Sequence, residues 1–242
     1  MLTKNQIKLI KSLFYKKNRQ KHGLFVVEGE KIVDEVINSD WEIDCIYATD
    51  DWAGQNAISI SSIELSKISF LKSPNKVLAL VKIKSFNNVF NSSTIIALDQ
   101  ISDPGNFGTI IRSADWFGIT NILCSRDCVD LFNPKVIQST MGSFLRTNLH
   151  YVNLNKELKK HKDYELFFTT LEGESIDVLK RSSNKIIVFG GEANGIRDEI
   201  LKNKGRKITI NRFEKSKAES LNVAIANAII LSRLWPFSVE CT

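Results

Sequence analysis

The sequence predicts an α/β protein in two unequal parts: a small α/β unit over residues 1–84, a linker at 85–93, and a larger α/β part over 94–242 built on a mainly parallel sheet. Three observations predict it. Short runs of strand formers alternate with helical stretches along the second part, a pattern that suits a parallel sheet covered on both faces. The stretch Ser85-Phe-Asn-Asn-Val-Phe-Asn-Ser-Ser93 is polar and turn-rich, as a linker is. The last segment, Leu221 to Leu234, is apolar nearly all round, so a helix there must be buried on more than one side.

The elements follow in order. Ile7, Ile10 and Phe14 recur at helical spacing beside Lys4, Lys8 and Lys11, which predicts an amphipathic opening helix. Residues 15–23 read as a basic exposed turn region. Leu24–Val27 reads as a strand, Glu30–Ile37 as a helix, Ile43–Tyr47 and Ala57–Ile60 as strands, Ile63–Ile68 as a short helix and Val77–Val81 as a strand. In the second part the expected strands are Thr94–Leu98, Asn121–Cys124, Leu166–Thr169, Lys185–Phe189 and Lys207–Ile210.

Composition bounds the function. The chain has 242 residues, 43% hydrophobic and 25% charged, as in an ordinary globular protein. No apolar run approaches the ~20 residues that cross a bilayer, and the lysine-rich start has no signal-peptide core, so a cytoplasmic protein with no membrane partner is expected. Cys45, Cys124, Cys128 and Cys241 form no CxxC pair, and His22, His150 and His161 are scattered, so no metal site is expected and the cysteines read as buried free thiols. The net charge of +6 says less than its distribution. Lys4, Lys8, Lys11, Lys16, Lys17, Arg19 and Lys21 all precede the first acid, Glu28. Such a block is either a phosphate-contacting surface or a solvated helix face.

Three segments are too specific for packing alone. In the first, a strand ending at Leu98 meets the turn Asp103-Pro-Gly and then a helix carrying Asn106 and Arg112. Ligands of parallel sheets bind at that carboxyl edge, although Asn106 also fits a helix cap and Arg112 a surface position. In the second, the strand Ile186–Phe189 runs into Gly190-Gly191-Glu192-Ala-Asn-Gly195, which is neither the dinucleotide fingerprint nor a phosphate loop. Its glycines permit close backbone approach to a ligand; a plain turn is the alternative. In the third, Ser220 and Asn222 open the final apolar helix, where capping explains one polar residue but not the set.

Together these segments resemble the three motifs of the SpoU family of RNA ribose 2′-O-methyltransferases, of the SPOUT superfamily, over about residues 94–236 and in family order. Asn133-Pro-Lys135 and Ser139-Thr-Met-Gly-Ser143 are similar to the stretch between the first two motifs. Gly23-Leu-Phe-Val-Val-Glu28-Gly-Glu-Lys31 resembles the accessory substrate-binding domain, itself similar to ribosomal L30e. Two positions depart from the family pattern: Ala193 stands where glycine is usual, and Thr209 where proline is frequent.

The resemblance implies a trefoil-knotted parallel sheet, a homodimer through the catalytic domain, S-adenosylmethionine as cofactor and a structured RNA as partner, ribosomal before transfer RNA. It implies Asn106, Arg112, Glu192, Ser220 and Asn222 as catalytic residues. The cofactor is expected among three loops, at Thr169, Thr170 and Leu171, at Phe189, Gly190, Gly191, Glu192 and Gly195, and at Ile208 and Ile210, with Ser220 and Leu221 closing the site. RNA is expected on the seven basic residues of the opening block, with Lys135 and Arg146 as further contacts near the site. Transfer from a sulfonium needs no metal, but the ribose hydroxyl must lose its proton. Arg112 is expected to clamp the adjacent phosphate and polarise the 2′-oxygen, with Glu192 and Asn106 orienting it, because a guanidinium stays charged. A neutral Arg112 acting as base is the sharper version. The rivals are an RNA-binding or ribosome-assembly protein without turnover, a methyltransferase acting on a base nitrogen and, more distantly, a dehydrogenase.

Overall fold

The computed structural model describes residues 1–86, 92–180 and 183–235. Most of the expected linker, residues 87–91, and Cys241 lie outside the described residues. The chain forms two compact units, Met1–Ser85 with Asp130–Leu145, and Phe86–Val129 with Arg146–Thr242.

The first unit opens with α1 (Lys4–Ser12), capped by Thr3 in a reciprocal box with Gln6, and continues directly into α2 (Lys16–His22). The basic region at 15–23 is therefore a helix rather than a turn. Lysine, arginine and glutamine are good helix formers, and Gly23, at φ 64°, ends the helix in the left-handed conformation that glycine tolerates. Then follow β1 (Leu24–Glu28), α3 (Glu30–Ile37), β2 (Ile43–Ala48), β3 (Ile58–Ser59), α4 (Ser62–Ile68) and β4 (Val77–Lys82). The sheet order is β1-β4-β2-β3, with only the β2–β3 pair parallel. Its core gathers Ile10, Leu13, Val26, Tyr47, Leu65 and Leu78. Phe14, expected on the buried stripe, lies beyond the end of α1 and is 46% exposed; Leu13 takes its place inside.

Asp130–Leu145 falls within the expected catalytic part yet belongs to the first unit. Phe132 and Phe144 pack around Phe25 and Trp41, with ring centroids 4.7–6.3 Å apart. The segment carries one α-helix (Pro134–Thr140), from which Gln138 Nε2 donates to the Glu28 carbonyl at 2.7 Å, and a 3-10 turn (Ser143–Leu145). Asp130 accepts from buried Arg19 at 2.5 and 3.1 Å. Sequence order alone hides this, because the anchors are single aromatic and charged residues without periodicity.

The second unit contains β5 (Thr94–Asp99), α5 (Pro104–Trp116) and β6 (Asn121–Ser125); with the helix Pro134–Thr140 counted as α6, it continues with β7 (Asn148–Val152), α7 (Leu154–Leu158), β8 (Glu165–Ser175), β9 (Lys185–Gly190), α8 (Asp198–Leu201), β10 (Arg206–Thr209) and α9 (Val223–Leu234). All five pairings of the sheet, ordered β10-β8-β9-β5-β6-β7, are parallel. β5 is buried at all six positions, its apolar run Ile95–Leu98 lying in mid-sheet between Thr94 and Asp99. β7 was not among the expected strands: it is a five-residue edge strand, and Asn148 and His150 interrupt its apolar pattern. α9 packs against α5 and buries Val223, Asn227, Ile230 and Leu231 but leaves Ile225 exposed, so part of its apolar circumference stays uncovered in the single chain. No helix among the described residues is long and apolar enough to cross a membrane.

Candidate active site

The three motifs meet at the carboxyl edge of the central strands, in the second unit. Asp103, not Asn106, caps α5 by accepting from the Asn106 N–H at 2.7 Å. That frees the Asn106 side chain, one turn inside the helix. Its Nδ2 donates to Glu192 Oε1 at 2.8 Å. Asn222 Nδ2 donates to Asn106 Oδ1 and to the same Glu192 oxygen, both at 2.9 Å. Asn222 Oδ1 meanwhile caps α9, accepting from Ala224 and Ile225 N–H at 2.9 and 3.3 Å. One residue from each motif thus enters a single hydrogen-bonded triangle in which every amide is oriented. Glu192 receives two charge-assisted bonds on one oxygen, which hold its carboxylate in place.

Arg112 does not join this triangle. Six residues separate it from Asn106, so it leaves α5 about 120° away around the axis and ~9 Å along it. It is exposed and makes no hydrogen bond or ion pair among the described residues. Asn106 and Glu192 therefore orient each other and Asn222, not Arg112 as expected. Ser220 is exposed just ahead of the triangle.

The loop bearing Glu192 is fixed by residues that sequence reasoning missed. Asp99, the last residue of β5, is fully buried. It accepts from Arg197 N–H at 2.9 Å, from Nε at 3.0 Å and from Nη2 at 2.6 Å. Arg197 Nη1 extends the pair to Asp127 at 3.2 Å, and these carboxylates hold the Arg197 guanidinium even more firmly protonated than usual. The available signal was Asp99 itself, a charge closing an otherwise apolar strand. At the loop's start the backbone is packed so tightly that a Cβ on Gly190 would lie 2.1 Å from the Gly195 carbonyl carbon, and one on Gly191 would lie 2.5 Å from the Gln100 carbonyl oxygen. Gly195, at φ 62°, turns the loop.

The other expected cofactor residues border the same edge. Between Phe168 and Glu174, β8 departs from its β10 partner, and Thr169, Thr170 and Leu171 lie in that excursion. Thr169 Oγ1 donates to the Val188 carbonyl at 3.0 Å and Thr170 Oγ1 to the Glu172 carbonyl at 2.7 Å. Thr209 Oγ1 donates to the Leu171 carbonyl at 3.1 Å, a tether that proline would not supply. Ala193 is exposed and has no positive φ, so its Cβ is accommodated. Phe189 and Ile208 are fully buried core side chains, leaving only their backbones for a ligand. Leu171 and Leu221 are exposed and Ile210 half-buried, apolar groups beside a polar backbone edge. Such a combination fits a nucleoside with an apolar ring face and polar rim.

Among the expected RNA contacts, Lys4, Lys8, Lys11, Lys16, Lys17, Lys21 and Lys135 are exposed. Arg19 is not available: it is 2% exposed, and besides Asp130 its guanidinium donates to the carbonyls of Leu13 and Phe14 at 2.8 and 2.7 Å. Its role is structural. Arg146 lies two residues ahead of β7, so it stands at the amino edge of the parallel sheet, opposite the triangle, and its Nε and Nη2 bind Asp115 at 2.9 Å. It is not near the site as expected.

Comparison with known proteins agrees with this architecture. Residues 4–79 match the MRM3-like substrate binding domain. A 23S rRNA (guanosine(2553)-2′-O)-methyltransferase of Bacillus subtilis is 27% identical over 96% of both chains. A solved structure of a TrmH-family RNA methyltransferase from Porphyromonas gingivalis superposes with a TM-score of 0.86 at 29% identity, covering 97% of this chain and 98% of that one. An AdoMet-bound rRNA methyltransferase from Sinorhizobium meliloti does so at 0.86 and 25% identity, covering 97% and 95%. The model of the SpoU rRNA Methylase family matches residues 93–232, the stretch that contains the whole triangle and its supporting loop, and the chain belongs to that family.

Proposed function

We propose that this chain methylates a ribose 2′-hydroxyl of ribosomal RNA, with S-adenosylmethionine as donor, and acts as a homodimer. The observation that carries the reading is the Asn106–Glu192–Asn222 triangle, which joins all three motifs at the ligand-binding edge of the sheet. The Bacillus subtilis relative, a 23S rRNA 2′-O-methyltransferase, and the AdoMet-bound rRNA methyltransferase neighbour support the chemistry and the choice of ribosomal over transfer RNA. The knotted chain path belongs to the same reading.

S-adenosylmethionine supplies a methyl group already activated on a sulfonium. Leu171, Ile210 and Leu221 would hold its apolar face, and the backbone of Gly190–Gly195 its polar rim. The protein's part is position and charge. Asn222 ties the start of α9 to the Glu192 loop, so neither can drift without breaking the other's bonds. Arg112, exposed on α5 and without a hydrogen bond or ion pair among the described residues, would grip an RNA phosphate and stabilise negative charge growing on the 2′-oxygen as its proton leaves for solvent or phosphate. Dimer formation is supported by the apolar groups that neighbouring α5 and α9 expose, Trp116 at 84% and Ile225 at 53%.

The test is calorimetric titration with S-adenosylmethionine, followed by transfer of its labelled methyl group to purified 23S rRNA and to bulk tRNA. The reading expects cofactor binding, label in the 23S rRNA, and loss of turnover in Asn222→Ala and Glu192→Gln. Binding without label in either naked RNA directs the same assay to ribosomal subunits, and no label there refutes the reading. Absence of cofactor binding favours an RNA-binding protein without turnover.

A further inference from the structure

We infer that Phe14 and Tyr15, at the corner between α1 and α2, form a stacking platform for an unpaired nucleobase of the RNA; the inference rests on the reading that this unit binds RNA. Tyr15 is 65% exposed and Phe14 46% exposed. Two large adjacent rings are thus left in water at the turn between the two helices. They are also held rigidly. Their centroids lie 5.5 Å apart at 82°, and Phe14 meets Phe70 edge-on at 5.5 Å. Phe70 is fixed in turn by its N–H, which the buried carboxylate of Glu28 accepts at 2.8 Å. Beneath the corner, the buried Arg19 guanidinium holds the Leu13 and Phe14 carbonyls while Asp130 holds the guanidinium. A buried arginine thus stiffens the backbone that presents the rings.

The surroundings choose the occupant. Lys11, Lys16 and Lys17 flank the rings in sequence and are exposed, and no acid precedes Glu28, which is itself buried. A cationic rim around rigid aromatic faces is complementary to a polyanion that carries flat bases. A duplex hides its base faces, so the ligand must offer an unstacked base from a loop, bulge or single strand. A lipid surface would engage the apolar side of α1, but Ile10 and Leu13 are fully buried in the core. The platform would let the first unit select an unpaired nucleotide, while its lysines supply affinity that any RNA shares.

Fluorescence anisotropy of the full chain tests this with a labelled single-stranded RNA of about a dozen nucleotides and a hairpin duplex of similar length. Tyr15→Ala should weaken single-strand binding about tenfold, leave duplex binding within about twofold, and leave the salt dependence unchanged. Tyr15→Trp should retain single-strand affinity. Lys16→Gln with Lys17→Gln should weaken both probes and reduce the single-strand salt slope by roughly 0.7 per lysine. If the lysine pair matters and Tyr15→Ala does not, or lowers both probes equally, stacking is overturned while RNA binding by this unit stands. If neither set of variants changes RNA binding, both fall. If Tyr15→Ala instead abolishes binding to phosphatidylserine vesicles with RNA binding intact, the surface serves a membrane and the inference is wrong.

Discussion

Replacing Arg197 by methionine removes the partner of a carboxylate that water does not reach. Asp99 is 0% exposed, and the Arg197 side chain supplies its bonds from Nε and Nη2, so that among the described residues only the Arg197 backbone N–H at 2.9 Å remains after substitution. Breaking a buried pair from one side costs about 3–5 kcal/mol, because the remaining charge stays desolvated. The Arg197 side chain is 31% exposed, so water can enter the vacated space and the lower end applies. At roughly 2–4 °C per kcal/mol for a chain of this size, about 3 kcal/mol lowers the melting temperature by roughly 6–12 °C. The same pair fixes the loop carrying Glu192, so affinity for S-adenosylmethionine should fall at least about tenfold even below the melting temperature, as loss of positioning does. Circular dichroism melts and calorimetric titration read the two effects. Adding Asp99→Asn to Arg197→Met should recover part of the stability, since no buried charge then lacks a partner. If Arg197→Met melts within about 1 °C of the parent and binds cofactor equally well, the ion pair neither stabilises nor positions this edge, and the reasoning fails.

Three further outcomes follow from particular side chains. Asn227 is fully buried in α9, with neither amide atom hydrogen-bonded among the described residues; Asn227→Leu should therefore raise stability by about 1–3 kcal/mol in a denaturant titration, and a loss would mean the amide has a partner. Burial pushes the Glu28 carboxyl above its usual range despite hydrogen bonds from Ser69 and Phe70. Its stability contribution is thus full below the unfolded value of about 4.3 and is lost as pH rises through the raised folded value. The stability of the parent relative to Glu28→Gln should accordingly fall as pH rises above about 4; a flat difference would show that burial does not raise the Glu28 carboxyl. Ile225→Glu places a charge on the uncovered face of α9 and should convert a dimer to a monomer in sedimentation experiments; an unchanged dimer would move the interface elsewhere.

The parts of the molecule legible in the sequence are those written as patterns. The parallel sheet showed in short apolar runs, and the site in three motifs whose polar residues exceed what capping needs. Asn106 illustrates the limit. Its position near a helix start fits a cap, but Asp103 three residues earlier takes that role, and only the fold reveals that Asn106 turns to Glu192. Arg19 stands in a basic run indistinguishable from its neighbours, yet a single long-range partner, Asp130, draws it inside. Asp130–Leu145 changes units for the same reason: anchors such as Asp130 and Gln138 are isolated residues whose partners lie 111 and 110 positions away. Arg146 shows that a positive charge near a motif in sequence lies at the wrong end of a parallel sheet when it precedes a strand instead of following it.

The central claim, ribose methylation by a site built from all three motifs, is tested most directly by mass spectrometry of nucleosides. Methylated 23S rRNA would be digested after reaction with the parent chain, with Asn106→Ala and with Arg112→Ala. The account predicts a 2′-O-methylnucleoside from the parent that drops at least about a hundredfold in both variants, as loss of positioning and of charge stabilisation each entail. A methyl group on a base nitrogen, or a ribose methyl made undiminished by both variants, would contradict it.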